Sequence, residues 1–132
     1  MKVNALDHFN VITADIDATA CFYADVLGLE RRDGPAPAPA TMVQWMHDDA
    51  GRAIVHINSV DCPRAYDREI KPGPTGALHH IAFNCSGFDD MRSKLDTRDI
   101  AYAVNDIPSI GLRQMFIHDP NDIVLELNFF AD

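Results

Sequence analysis

The sequence predicts an α+β fold built from two tandem β-α-β-β-β modules. Three observations carry this expectation. Residues 6–13, LDHFNVIT, and residues 78–85, LHHIAFNC, share a leucine, a spacer, a histidine and then an alternating apolar run. Each run leads through an acidic turn into a segment of helical periodicity. Each half then closes on a hairpin whose last strand alternates apolar and polar residues, RAIVHINSV at 52–60 and DIVLELNFF at 122–130.

The elements follow in order. In the first half, Asp15-Ile16-Asp17 precedes DATACFYADVLG, where Ala18, Cys21, Phe22, Val26 and Leu27 recur at helical spacing. Asp15 or Asp17 can cap this helix, and Gly28 can close it. DGPAPAPA at 33–40 reads as an extended Pro/Ala flap on the surface. TMVQWMH (41–47) is the strand before the turn Asp48-Asp49-Ala50-Gly51. In the second half, Phe88-Asp89-Asp90 is the acidic turn, and DDMRSKLDTRD is a shorter helix with Met91 and Leu95 on one face. LRQMFIH (112–118) precedes the turn Asp119-Pro120-Asn121. Gln44 and Gln114 are expected at matching places. Module one spans about 3–62 and module two about 77–130, joined by PRAYDREIKPGPTG at 63–76, which includes Arg64. The whole, 1–132, is expected to form a single domain.

Composition narrows the function classes. A chain of 132 residues with 47% hydrophobic content can bury a real core. The net charge of −9, without a basic run, argues against a nucleic-acid partner. No apolar run approaches the roughly 20 residues of a membrane span, and MKVNALDHFN has no signal-peptide core. A cytoplasmic protein with no membrane partner is expected. Cys21, Cys62 and Cys85 lack CxxC spacing, so they read as free thiols and not as a disulfide or zinc framework.

Strand alternation sorts the side chains by face. Leu6, His8 and Asn10 share one face, as do Leu78, His80, Ala82 and Asn84. The final strands put Ile54, His56 and Asn58, and Val124, Glu126 and Asn128, on the corresponding face. Phe9, Val11, Ile81, Phe83, Val55, Ile57, Leu125 and Leu127 point the other way and suit packing under the helices. Imidazoles and a carboxylate on one sheet face need compensation. A divalent cation bound by His nitrogen and Glu oxygen supplies it, with Zn, Ni, Fe(II), Co and Mn all compatible. His8 and His80 are repeat-equivalent, as are His56 and Glu126, so a pseudo-twofold would bring all four to one centre. His47, His79 and His118 read as surface or packing histidines.

At these residues the chain resembles the glyoxalase, bleomycin-resistance and extradiol dioxygenase superfamily, the vicinal oxygen chelate proteins. The resemblance runs through LDHFNVITADIDATACFYADVLGLE, HHIAF and FIHDPNDIVLEL, nearly the whole chain. It implies that the paired modules form a cupped, barrel-like mixed sheet with the helices outside. It further implies one divalent metal ion, with His8, His80 and Glu126 as ligands and His56 at the fourth family position. Asp122 stands where the family often has glycine, and aspartate tolerates the positive φ of such a turn.

The resemblance leaves the reaction open between classes. The leading expectation is a lyase or isomerase that stabilises an enediolate of a small α-hydroxycarbonyl or thioester-type substrate. Glu126 or His56 would shuttle the proton. The alternative is an Fe(II) extradiol-type ring-cleavage dioxygenase, weakened by Phe116 where such enzymes usually carry tyrosine. A metal-free drug-binding resistance protein is the third reading, and the His/Glu set counts against it. Fosfomycin-type transferases end in basic residues that NFFAD lacks. Trp45, Arg113, Gln114 and Phe116 are candidate substrate-binding residues, and Arg113 could grip a carboxylate. The expected partners are a small-molecule substrate and a second copy of the chain, as a homodimer.

Overall fold

The computed structural model describes residues 1–63, 75–76 and 78–130. The chain divides into two compact units, Met1–Pro72 and Gly73–Asp132. The first contains strand β1 (Phe9–Thr13), helix α1 (Ile16–Asp25) and strands β2 (Glu30–Asp33), β3 (Val43–His47) and β4 (Ala53–Ser59). The second repeats the order with β5 (Ile81–Cys85), α2 (Phe88–Thr97), β6 (Ala103–Ile107), a short 3-10 turn at Pro108–Ile110, β7 (Leu112–His118) and β8 (Val124–Phe130). Most of the joining segment expected at 63–76, Arg64 included, lies outside the described residues.

Both sheets are mixed and have the same topology, β1-β4-β3-β2 and β5-β8-β7-β6. The first strand of each module lies parallel to the last, and the other pairs are antiparallel. A parallel neighbour requires a long crossover. Here the helix and the two intervening strands provide it.

Helix α1 starts at Asp15, whose carboxylate accepts from the Ala18 N–H at 2.9 Å. It ends where Gly28 turns left-handed, at φ +73°, as its N–H bonds the Ala24 carbonyl. Its buried side is Ile16, Thr19, Ala20 and Tyr23. The expected face included Cys21, which is exposed. The buried face lies two residues earlier in phase than the apolar spacing predicts, and it includes Thr19. Thr19 earns its burial through a hydroxyl bond to Thr13 at 3.1 Å. In module two, Phe88-Asp89-Asp90 is not a turn before the helix but its first turn, after a left-handed Gly87 (φ +82°). Met91 and Leu95 are buried as expected, with Phe88.

The alternation of the central strands is as read. Val11, Val55, Ile57, Leu125 and Leu127 are buried. In module two, Phe88 of α2 meets Phe129 of β8 edge to face at 5.3 Å. Two expectations need correction. Both leading strands start later than the repeat suggested, so His8 and His80 stand just before β1 and β5. Leu6 and Leu78 are 80% and 54% exposed and line no face. Gln44 and Gln114 are also not equivalent. Trp45 pairs with His56 and Phe116 with Glu126, which makes Gln44 the counterpart of Met115, and Val43 the counterpart of Gln114. Gln44 points to the helix side. There it accepts from Arg31 Nε at 2.8 Å and donates to Asp33 at 2.9 Å. The tight turn after β7 does hold Asp122 at φ +63°, with its carboxylate 2.8 Å from His118 Nδ1.

This packing separates two leucines that the repeat had placed on strands. Leu127→Ala should lower unfolding stability by about 2–5 kcal/mol. Leu78→Ala should stay within about 0.5 kcal/mol. Urea denaturation of both variants checks this, and equal losses would contradict the packing.

Candidate metal and substrate site

The polar face of each sheet carries candidate site residues. In module one it is centred on His56 of β4, flanked by Asn10 of β1 and Trp45 of β3 at the same level. His56 stacks on His8 at 3.7 Å between ring centroids and 18° between planes. It also stacks on Trp45 at 4.2 Å and 6°. Two rings so close to one imidazole must lie on its opposite faces, so His56 is sandwiched. His8 Nδ1 meets the Asp7 carboxylate at 2.6 Å. A carboxylate beside the ring is the kind of partner that orients metal-ligating histidines. Asn10 Nδ2 donates to Asn58 Oδ1 at 2.6 Å beside the stack.

Burial holds the His56 imidazole below the usual histidine value, and the neighbouring His8 pushes it the same way. The Asp7 carboxylate and a hydrogen bond with the Ala53 backbone pull upward and do not offset this. His56 is therefore neutral at pH 7, the form that can accept a proton or ligate a metal.

In module two the centre is Glu126 of β8, only 8% exposed. Its Oε2 lies 3.1 Å from His80 Nε2. Its Oε1 accepts from Gln114 Nε2 and from Asn128 Nδ2, both at 2.8 Å. His80 Nδ1 meets His79 Nδ1 at 3.0 Å, so His79 touches the site's edge and is not turned away from His80. Phe116, opposite Glu126 in register, sets its ring at 84° to His80 with centroids 6.4 Å apart.

The donor set fits a divalent ion. Metal–ligand bonds of about 2.0–2.2 Å at angles from 90° to 110° put neighbouring donors roughly 2.9–3.5 Å apart. The 3.1 Å between His80 Nε2 and Glu126 Oε2 falls in that interval. A buried carboxylate also needs positive compensation, and its ion pair here is with an imidazole. Among the described residues neither unit gathers three or more His, Cys, Asp or Glu side chains into one group.

The four substrate candidates divide. Trp45 and Phe116 occupy equivalent positions on the site faces. Gln114 shares the face of Glu126, but its amide is already committed to protein partners. Arg113, next along β7, points to the opposite side. Its guanidinium lies 3.4 Å over the Phe88 ring, with Asp106 at 3.4 Å. Arg113 and Gln114 cannot line one face of a strand together. Asp7 and Asn105 escaped the sequence reading. The adjacency of Asp7 to a candidate ligand was the available signal for the first. The second needed the β6–β7 register.

The family model described as the Glyoxalase/Bleomycin resistance protein/Dioxygenase superfamily matches residues 5–127. The chain belongs to this superfamily. "Glyoxylase I 4" of Arabidopsis thaliana is 25% identical over 133 residues, covering 96% of this chain and 71% of that protein. Several solved structures share the fold. A glyoxalase/dioxygenase from Nostoc punctiforme aligns with TM-score 0.71 at 20% identity, over 97% of this chain and 92% of that one. A lactoylglutathione lyase from Agrobacterium tumefaciens aligns with TM-score 0.66 at 18% identity, over 98% and 96%. A virulence protein from Salmonella typhimurium aligns with TM-score 0.73 at 18% identity, over 99% and 100%. No described helix is long and apolar enough to cross a membrane.

Trp45 is the single tryptophan of this superfamily member, so its emission reports on His56. Acid quenching of that emission by the imidazolium should have a midpoint below 6.5, the ordinary histidine value. The folded state holds the His56 proton less tightly than the unfolded chain. Folding stability linked to this group is therefore intact above 6.5 and falls as pH drops through 6.5 toward the lower folded value. A midpoint at or above 6.5, or the same curve in His56→Ala, would contradict the assignment.

Proposed function

We propose that the protein is a divalent-metal-dependent lyase or isomerase acting on a small α-hydroxycarbonyl or thioester-type substrate. The observation that carries this is the occupancy of equivalent sheet positions by donors. His8 and His80 each stand one residue before the first strand of a module, and His56 and Glu126 sit at the same register of the last. In this reading His8, His80 and Glu126 are ligands of one ion, which supplies Lewis acidity toward two neighbouring substrate oxygens. That the two pairs meet at one ion is part of the proposal.

His56 is the proton carrier at a carbon next to a carbonyl. It is neutral at pH 7, and Trp45 and His8 fix the plane of its ring. Rings with nearly parallel planes aim their in-plane lone pairs side by side. His56 could serve as a fourth ligand with His8 only after turning out of the stack. Trp45 and Phe116 form apolar walls that limit access of water to the proton transfer. Phe116, opposite Glu126, has no hydroxyl to donate, which sets ring cleavage behind proton transfer. A second copy of the chain and a cytoplasmic setting remain part of this reading.

Elemental analysis of the purified protein, with titration by Zn²⁺ and Co²⁺, should find about one ion per chain under this reading. Glu126→Gln should lower the affinity sharply. No bound ion and no uptake would sink the proposal. His56→Ala should keep the ion and lose exchange of the substrate's α-proton with solvent deuterium. Loss of the ion in His56→Ala would make His56 a ligand instead.

A further inference from the structure

Gln114 is a candidate substrate binder by sequence, yet both N–H donors of its side chain, and its oxygen, already bond protein partners inside module two. Nε2 donates to Glu126 Oε1 at 2.8 Å and to Asn128 Oδ1 at 3.0 Å. Oε1 accepts from Asn105 Nδ2 at 2.8 Å. An amide has two donor hydrogens, and here both are committed. Gln114 is 8% exposed, so water cannot readily replace these partners. Asn128 closes the network by donating its own Nδ2 to the same Glu126 oxygen at 2.8 Å.

The network is one-sided. Oε1 of Glu126 receives both amides, while Oε2, among the described residues, faces His80 Nε2 at 3.1 Å. We infer that Gln114 and Asn128 are positioning residues. They saturate one carboxylate oxygen and so present the other, together with His80, as a one-oxygen ligand. This rests on the metal reading above and adds how the carboxylate binds and what aims it.

The repeat provides an internal control. In module one the counterpart of Glu126 is His56, and the counterpart of Gln114 is Val43. The counterpart of Asn128 is Asn58, whose amide partners Asn10 and Cys62 and not the central residue. A converging pair of N–H donors occurs only where the central group is an anion. Where it is an imidazole, aromatic stacking takes over.

Zn²⁺ and Co²⁺ affinities of the full chain, measured against a chelator, test this with Gln114→Met and Asn128→Leu. Both changes keep approximate size and remove the donors. The expected result is a loss of about 10–100-fold in affinity for each. The Co²⁺ visible bands should shift as the carboxylate swings toward two-oxygen binding. Affinity within twofold of the parent and an unchanged Co²⁺ spectrum would overturn the inference and leave the metal reading intact. If the parent binds neither ion, or if Glu126→Gln binds as well as the parent, the metal reading fails and takes this inference with it. Asn105→Ala covers the case in which Gln114→Met does not fold. It frees only the outer end of Gln114 and should weaken binding in the same direction. No change there, with none in Asn128→Leu, overturns the proposal.

Discussion

A carboxylate on the inner part of a sheet face must be compensated, and Glu126 organises module two around that requirement. An unpaired buried carboxylate would shift its protonation or destabilise the strand. Here two amides approach one oxygen and an imidazole approaches the other. The central strands β7 and β8 hold these groups at fixed register. The opposite face of the same strands buries Met115, Ile117, Leu125 and Leu127 against solvent. The apolar face thus holds the strand pair rigid. That rigidity allows the polar face to keep its geometry without a flexible loop.

Much of this was legible in the sequence because strands have a period of two. The apolar and polar sets of β1, β4, β5 and β8 followed from alternation. So did the pairing of His56 with Glu126 as equivalent positions. What alternation does not give is register between strands. Gln44 and Gln114 look equivalent by their place within similar strand segments. Gln44 lies three residues before His47 and Gln114 four before His118, and one residue of offset turns a side chain to the other face. Gln44 therefore sits beneath α1, and Gln114 sits on the site. Arg113 was grouped with Gln114 for chemical reasons, although adjacent strand residues point in opposite directions.

Strand ends were the second blind spot. Leu-x-His at the head of each module looked like strand because the pattern continued outward from the core. The paired ladder begins only at Phe9 and Ile81, opposite Val55 and Leu125. The residues before it have no partner strand to hold them. His8 and His80 consequently sit at the transition from free chain to ladder. Side chains there take their orientation from local contacts, Asp7 and His56 for one and His79 and Glu126 for the other. Those contacts depend on tertiary geometry that periodicity does not encode.

The two modules share a backbone plan but not a chemistry, and the difference is concentrated at three register positions. Glu126, Phe116 and Gln114 stand where module one has His56, Trp45 and Val43. Burial and the neighbouring His8 lower the affinity of the His56 imidazole for a proton and keep it a neutral ring. A carboxylate is stabilised as an anion by N–H donors. Exchanging either environment for the other would favour the wrong protonation state: donors beside His56 would have no anion to meet, and stacked rings beside Glu126 would leave its charge unpaired. The duplicated fold therefore holds a neutral imidazole in one module and a fixed carboxylate in the other at the same strand position.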